Sequence, residues 1–321
     1  MPSLKVDPEW EVIAQAYAAM PQPVINDVFD LRRSTDAILS ASTLTLPVQE
    51  GVQETKHTIT SIDGTSIDVH RFVPPAAASD SSPQRAILFV FGGGMVAGSM
   101  DIWRVSIKDL AHRTGTQVFA VDYRLAPEHP GPAAVEDVYS AVVWLQSNAA
   151  QFNVDPKRVV LNGKSAGGGI CAGVALMARD KGLQPPLAAV ALVYPMLDDR
   201  TVIPADHPLH EHMTWTAQAN DLGWKALLGK EREERTDENV PIYCAPARAE
   251  DVSGLPDTYI DVGTLDLFRD EDIAYAGRLV AANVSVEFHL YLGVPHGFDS
   301  ARQIRVAQDA VSNQTRFLRS Y

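Results

Sequence analysis

From residue 85 onward, short runs of large apolar residues alternate with longer stretches whose apolar residues recur at helical spacing. No other feature constrains the chain as much. Strands are predicted at 86–91, 117–121, 158–162, 188–194, 257–262 and 284–292, with helices near 102–114, 133–149, 166–181, 269–282 and 301–319. Strands joined through helices run parallel, and a parallel sheet needs both faces covered. Upstream, "KHTITSIDGTSIDVHRF" alternates about Asp63-Gly64 as a hairpin with a tight turn does, which brings the strand count to eight. The predicted fold class is α/β, with a mostly parallel eight-stranded sheet flanked by helices.

Two helical segments precede the hairpin. Asp7-Pro8 has the form of an N-cap followed by a first-turn proline, and Trp10, Ile13, Tyr17 and Met20 follow at helical spacing. A weaker helical pattern spans 25–39, and "PPAAASDSSPQ" after the hairpin reads as loop. Residues 197–250 hold no strand pattern, but do hold "TWTAQANDLGWKALLG" and the charged run "KEREERTDE". An insertion of that length usually forms a lid or subdomain. The organisation expected is N-terminal helices over 1–50 as part of a cap, a catalytic domain from 51–196 and 251–321, and a cap insertion at 197–250.

Composition narrows the function. A net charge of −13 is unsuited to binding nucleic acid, which needs a basic surface. Cys171 and Cys244 have no CxxC spacing, so neither a disulfide framework nor a zinc ribbon is indicated. The first residues lack the apolar core of a signal peptide, and no run approaches the ~18 apolar residues of a membrane span. A cytoplasmic enzyme or binding protein is expected.

The strand at 86–91 ends in three glycines, "LFVFGGGMVAGS", so the backbone is bare where a buried strand stops. One reading is a dinucleotide site. Gly92-x-Gly94-x-x-Ala97 fits the fingerprint and Asp122 ends the next strand, but the following helix opens late, after Ser99. A second reading, a P-loop at Gly163-Lys164-Ser165, fails because Arg158 stands where the motif needs another glycine. The third takes Gly163-Lys164-Ser165-Ala166-Gly167 as GxSxG between a strand and a small-residue helix. Small neighbours two positions either side let the chain turn sharply and aim the serine hydroxyl outward.

A serine alone is a weak nucleophile and needs a base and an acid to orient that base. "DVGTLDLFRDED" and "GVPHGFDS" each follow a predicted strand, so Ser165, Asp266 and His296 lie on loops that share one edge of a parallel sheet. Asp261 and Asp270 are rivals to Asp266; the first falls inside a strand pattern and the second suits a first helical turn. His289 alternates with Glu287 and Tyr291 and is read as structural. His207, His210 and His212 have no recognised zinc spacing and are read as a surface or cap-lining loop. Arg124, Glu128 and His129 are read as loop-fixing, and Cys171 as core. Trp215 and Trp224 are either cap packing or the wall of an acyl pocket.

At these motifs the sequence resembles the hormone-sensitive-lipase-like branch of the α/β-hydrolases, the bacterial family IV carboxylesterases. The likeness runs from about residue 55 to the end and rests on "FGGGMVAGS", "VDYRLAPEHPGPAA", "GKSAGGG", "DLFRDE" and "HGF" in family order. It implies the α/β-hydrolase fold with a helical cap over the site. Ser165 is then the nucleophile, His296 the general base and acid, and Asp266 the residue orienting His296. Gly93, Gly94 and Ala166 are the implied oxyanion-hole donors.

The reaction implied is hydrolysis of short-to-medium acyl esters through an acyl-serine. No metal or organic cofactor is needed, the partner is a small-molecule ester, and a homodimer is left open. The alternatives are a non-hydrolytic protein of this fold (a lyase or ligand-binding protein) and, more remotely, a dinucleotide-dependent oxidoreductase. Two positions depart from the family pattern: Phe91 replaces a histidine, and Lys164 replaces an acidic residue. Phe91 is expected to pack beneath the glycine loop, and Lys164 to point away from the serine.

Overall fold

The computed structural model describes residues 4–19, 23–79 and 81–321. Helix α1 (Pro8–Ala18) opens on the expected cap, with the Asp7 carboxylate accepting from the N–H groups of Glu9 and Trp10. Trp10 is buried while Tyr17 is exposed, so the predicted apolar stripe fades along the helix; Met20 lies outside the described residues. Helix α2 (Val28–Thr43) starts later than the pattern indicated, because Asp27 caps it by accepting from Phe29 and Asp30.

The hairpin is formed by β1 (Gln53–Thr60) and β2 (Ser66–Val73), paired antiparallel. The stretch read as loop contains one helical turn, α3 (Pro75–Ala78), because a proline at its first position and three alanines favour it. The alternating part then runs β3 (Gln84–Val90), α4 (Met100–Thr114), β4 (Gln117–Asp122), α5 (Ala133–Ser147), β5 (Val154–Lys164), α6 (Ala166–Asp180), β6 (Ala189–Val193), α7 (Ala217–Leu228), β7 (Asp257–Gly263), α8 (Arg269–Ala281), β8 (Val286–Tyr291) and α9 (Arg305–Ser320).

Among the described residues the sheet has eight strands in the order β1-β2-β4-β3-β5-β6-β7-β8. β2 meets β4 antiparallel and every later pairing is parallel. β5 begins four residues before the predicted start at 158, since its first residues, "VDPK", look like a turn. The register against β3 slips there, from Gln84↔Val154 to Ala86↔Val159. A strand carrying Pro156, which cannot donate to the ladder, is tolerated at such an irregularity.

Topology determines where a site can form. The chain leaves β3 for β4 on one side, then returns to place β5 on the other side of β3. α4 packs with α9, and α5 with α6. Loops leaving adjacent strands in opposite directions open a crevice at the carboxyl ends. Val90 of β3 pairs with Gly163 of β5, so the glycine run and Ser165 leave the sheet side by side at this crevice. Residues 197–250 contribute α7 and short 3-10 turns, and α7 packs on α2. No helix among the described residues is long and apolar enough to cross a membrane.

Candidate active site

Ser165 sits between β5 and α6 at φ 55, ψ −123, a conformation that strains any residue with a Cβ. The turn closes only because its flanks are bare. A Cβ on Gly163 would lie 2.2 Å from the Gly167 carbonyl oxygen, and one on Gly167 would lie 2.2 Å from that of Val90. The Ser165 N–H donates to the Val193 carbonyl at 2.9 Å, which ties the turn to the end of β6.

The three predicted residues converge. Ser165 Oγ lies 2.8 Å from His296 Nε2, and His296 Nδ1 lies 2.8 Å from Asp266 Oδ2. A carboxylate only accepts, so Nδ1 carries the proton and Nε2 is free to accept from the serine hydroxyl. Asp266 is wholly buried, and its other oxygen accepts from the Phe268 N–H at 2.9 Å. The imidazole is held edge-on between Tyr194 and Phe268, with ring centroids 4.6 and 5.1 Å away. Thr214, from the insertion, donates to the His296 carbonyl at 2.7 Å.

The rivals fall elsewhere. Asp261 accepts from the Tyr259 hydroxyl inside the sheet, and Asp270 pairs with Arg269 in the first turn of α8. His289 pairs with Glu287. His207 caps its own 3-10 turn and His210 contacts the Pro204 carbonyl; among the described residues no three His, Cys, Asp or Glu side chains are grouped to hold a metal ion. A groove of about 570 Å³ beside Arg113 and α9 includes none of the converging residues.

The glycine loop lies directly over the serine turn. A Cβ on Gly92 would come within 2.7 Å of the Lys164 carbonyl oxygen and 3.0 Å of Ser165 Cβ. Gly93 has φ 137, where a Cβ would sit 2.2 Å from the Ala97 carbonyl oxygen, and Gly94 lies under the Trp215 ring. Among the described residues the N–H groups of Gly93, Gly94 and Ala166 have no acceptor. Of the two tryptophans, both in the buried apolar cluster, Trp215 is the one whose ring covers Gly94.

Phe91 is fully buried and stacks on Tyr123 at 4.3 Å, and the Tyr123 hydroxyl donates to the Phe91 carbonyl at 2.9 Å. Its ring also fills the space beside Gly98. Phe91→Ala is expected to cost about 3–5 kcal/mol of stability. The accompanying loss of kcat should stay below the roughly hundredfold of a missing oxyanion donor. Thermal melts and steady-state kinetics on the variant check both parts; a Phe91→Ala protein as stable as its parent would refute the packing role.

Sequence reasoning missed the loop's outer support. Arg32 on α2 donates from Nε to the Val96 carbonyl at 2.5 Å and from Nη2 to the Ala126 carbonyl at 2.7 Å, while both terminal nitrogens hold Glu128. One turn later Asp36 accepts from the Gly98 N–H at 2.7 Å. The available signal was an Arg and an Asp four apart in "RRSTD", which on a weakly patterned helix does not show which way it faces. Arg32→Ala leaves the two carbonyls unsatisfied, at about 1–3 kcal/mol. It is expected to lower kcat about tenfold with a smaller change in KM, because a shifted donor loop acts on turnover more than on binding.

Comparison with known proteins places this arrangement. Residues 87–300 match the model of a family described as having the α/β-hydrolase fold. The esterase LipI of Mycobacterium tuberculosis (strain ATCC 25618 / H37Rv) is 35% identical over 257 residues, 79% of this chain and 78% of that protein. This chain belongs to the α/β-hydrolase family. Within it the chain is a carboxylic ester hydrolase of the hormone-sensitive-lipase-like branch. Carboxylesterase NlhH of the same organism is 35% identical across 73% of this chain and 72% of its own length. Among solved structures of the family, a bacterial heroin esterase superposes with a TM-score of 0.86 at 33% identity over 98% of both chains. A hyperthermophilic esterase from the archaeon Pyrobaculum calidifontis gives 0.84 at 29% identity over 99% of both.

Proposed function

We propose that the chain hydrolyses short-to-medium acyl esters through a covalent acyl-enzyme on Ser165. The observation that carries this is the continuous hydrogen-bonded line from Ser165 Oγ through His296 to buried Asp266. His296 Nε2 takes the serine proton as Oγ attacks the ester carbonyl, and returns it to the departing alcohol. Water then attacks the acyl-serine by the same route in reverse. Asp266 stays ionised and stabilises the imidazolium that forms between the two transfers.

The developing oxyanion needs donors that are already unpaired and in place. The N–H groups of Gly93, Gly94 and Ala166 are without acceptors next to the serine turn, and we assign them that role. The same packing against Ser165 favours a reacting carbonyl over a pyrophosphate as what the glycine run meets. The helices of residues 1–50 together with 197–250 are taken as the cap, which contributes Trp215 above Gly94. The short-to-medium range of acyl chains is what the resemblance to the family IV carboxylesterases implies. Initial rates on acetyl, butyryl, hexanoyl and decanoyl nitrophenyl esters test this. kcat/KM should be highest among the first three, and a maximum at decanoyl would contradict it.

A further inference from the structure

We propose that the buried Lys164–Asp299 ion pair, with the Tyr194 hydroxyl bonded to Asp299, is a brace that sets the spacing between Ser165 and His296. The inference rests on reading Ser165 as the nucleophile. It makes Lys164, Asp299 and Tyr194 positioning residues.

The three side chains come from three places in the chain and join the two halves of the proton-transfer line. Lys164 is the last residue of β5 and immediately precedes Ser165. Its ammonium turns away from the serine hydroxyl and pairs with Asp299 Oδ2. Asp299 lies three residues after His296, in the 3-10 turn Phe298–Ser300. Its Oδ1 accepts from the Tyr194 hydroxyl at 2.6 Å, and the Tyr194 ring stands 4.6 Å from the His296 ring. The serine arm and the histidine arm are therefore tied behind the site as well as across it.

Burial makes this tie stiff. The Lys164 and Asp299 side chains are only 11% and 6% exposed, so solvent does not compete for their charges. Burial pulls the Lys164 ammonium below its ordinary value against the opposing pull of Asp299. Burial alone would raise Asp299, but Lys164 and Arg302 outweigh it and keep its carboxyl below the usual range. Arg302 and Arg113 both face Asp109, and Asp261 is engaged by Tyr259, which leaves Lys164 as the direct partner of Asp299. Tyr194 also has φ 36, a left-handed conformation that a bulky residue keeps only where its surroundings over-determine it. Its N–H donates to the Asp261 carbonyl at 2.7 Å, and its neighbour Val193 receives the Ser165 N–H.

The test separates bracing from mere burial of a charge pair. Lys164→Met and Asp299→Asn each take the direct partner from a buried charge, so each should lower the thermal midpoint. Combining the two leaves no lone charge, and the midpoint should return close to the parent's. kcat of the double variant should nevertheless stay about tenfold or more below the parent, with KM within about twofold, because a displaced reacting pair loses turnover and not ground-state binding. A recovered midpoint with parental kcat would overturn the brace. If the midpoint does not recover, Tyr194→Phe decides, since it removes only the hydroxyl and keeps the ring against His296. A several-fold loss of kcat at unchanged KM supports the brace, and parental kcat overturns it. The rate of modification by a fluorophosphonate is read on parent and double variant together. A parent unmodified at Ser165 overturns the nucleophile reading and the brace with it. A modified parent with an equally fast double variant overturns the brace alone.

Discussion

Ser165→Ala is expected to lower kcat for ester hydrolysis by about a millionfold while leaving the fold intact. The size follows from the arrangement. Without Oγ there is no atom for His296 Nε2 to activate at 2.8 Å and no covalent intermediate, so only the glycine-loop donors and substrate binding are left. Those groups alone account for roughly a thousand- to ten-thousandfold over water in enzymes of this design. Folding should change little. The strained turn is enforced by Gly163 and Gly167, by the bond from the Ser165 N–H to Val193, and by the start of α6, none of which involves the hydroxyl. Single-turnover and steady-state assays, with a thermal melt as control, measure both quantities. A variant within a hundredfold of the parent would show that ester cleavage does not pass through this serine.

Asp266→Asn should cost about ten-thousandfold in kcat without much loss of structure. Asp266 accepts twice, from the Phe268 N–H at 2.9 Å and from His296 Nδ1 at 2.8 Å. An asparagine that keeps its oxygen on the Phe268 N–H must present its amide nitrogen to the imidazole. Two donors cannot face each other, so the ring proton moves to Nε2 and the serine hydroxyl loses its acceptor. Asp261→Asn is the control, since Asp261 is equally buried but bonded to Tyr259 and not to His296. It should keep activity within a few-fold. Comparable losses in the two variants would mean that buried charge near the sheet edge, and not the orientation of His296, governs the rate.

Much of the site was legible because each converging residue directly follows a strand. Parallel strands bring such loops to one edge whatever their distance in sequence, so Ser165, Asp266 and His296 could be joined from pattern alone. The hairpin, the late opening of α4 after Ser99 and the eight strands were readable for similar local reasons. The misreadings are local too. Pro156 disguised the start of β5, and three alanines after a proline hid one turn of helix.

The supports of the site had no such signal. Arg32 reaches Val96 across 64 residues, and Lys164 reaches Asp299 across 135. Charged side chains carry no periodic mark that distinguishes a buried partner from a solvated one. The sequence did suggest that Lys164 points away from the serine, as it does, but its destination depended on the three-dimensional path of the loop after His296. Likewise the roles of Trp215 and Trp224 separated only once Gly94 was found beneath the first.

The most direct measurement is the mass of the protein and its peptides after treatment with a fluorophosphonate, followed alongside loss of ester hydrolysis. The expected result is one adduct per chain, located on the peptide containing Ser165, appearing at the rate at which activity disappears and absent from Ser165→Ala. An adduct on any other residue, or full activity in protein already modified at Ser165, would contradict the assignment of Ser165 as the nucleophile.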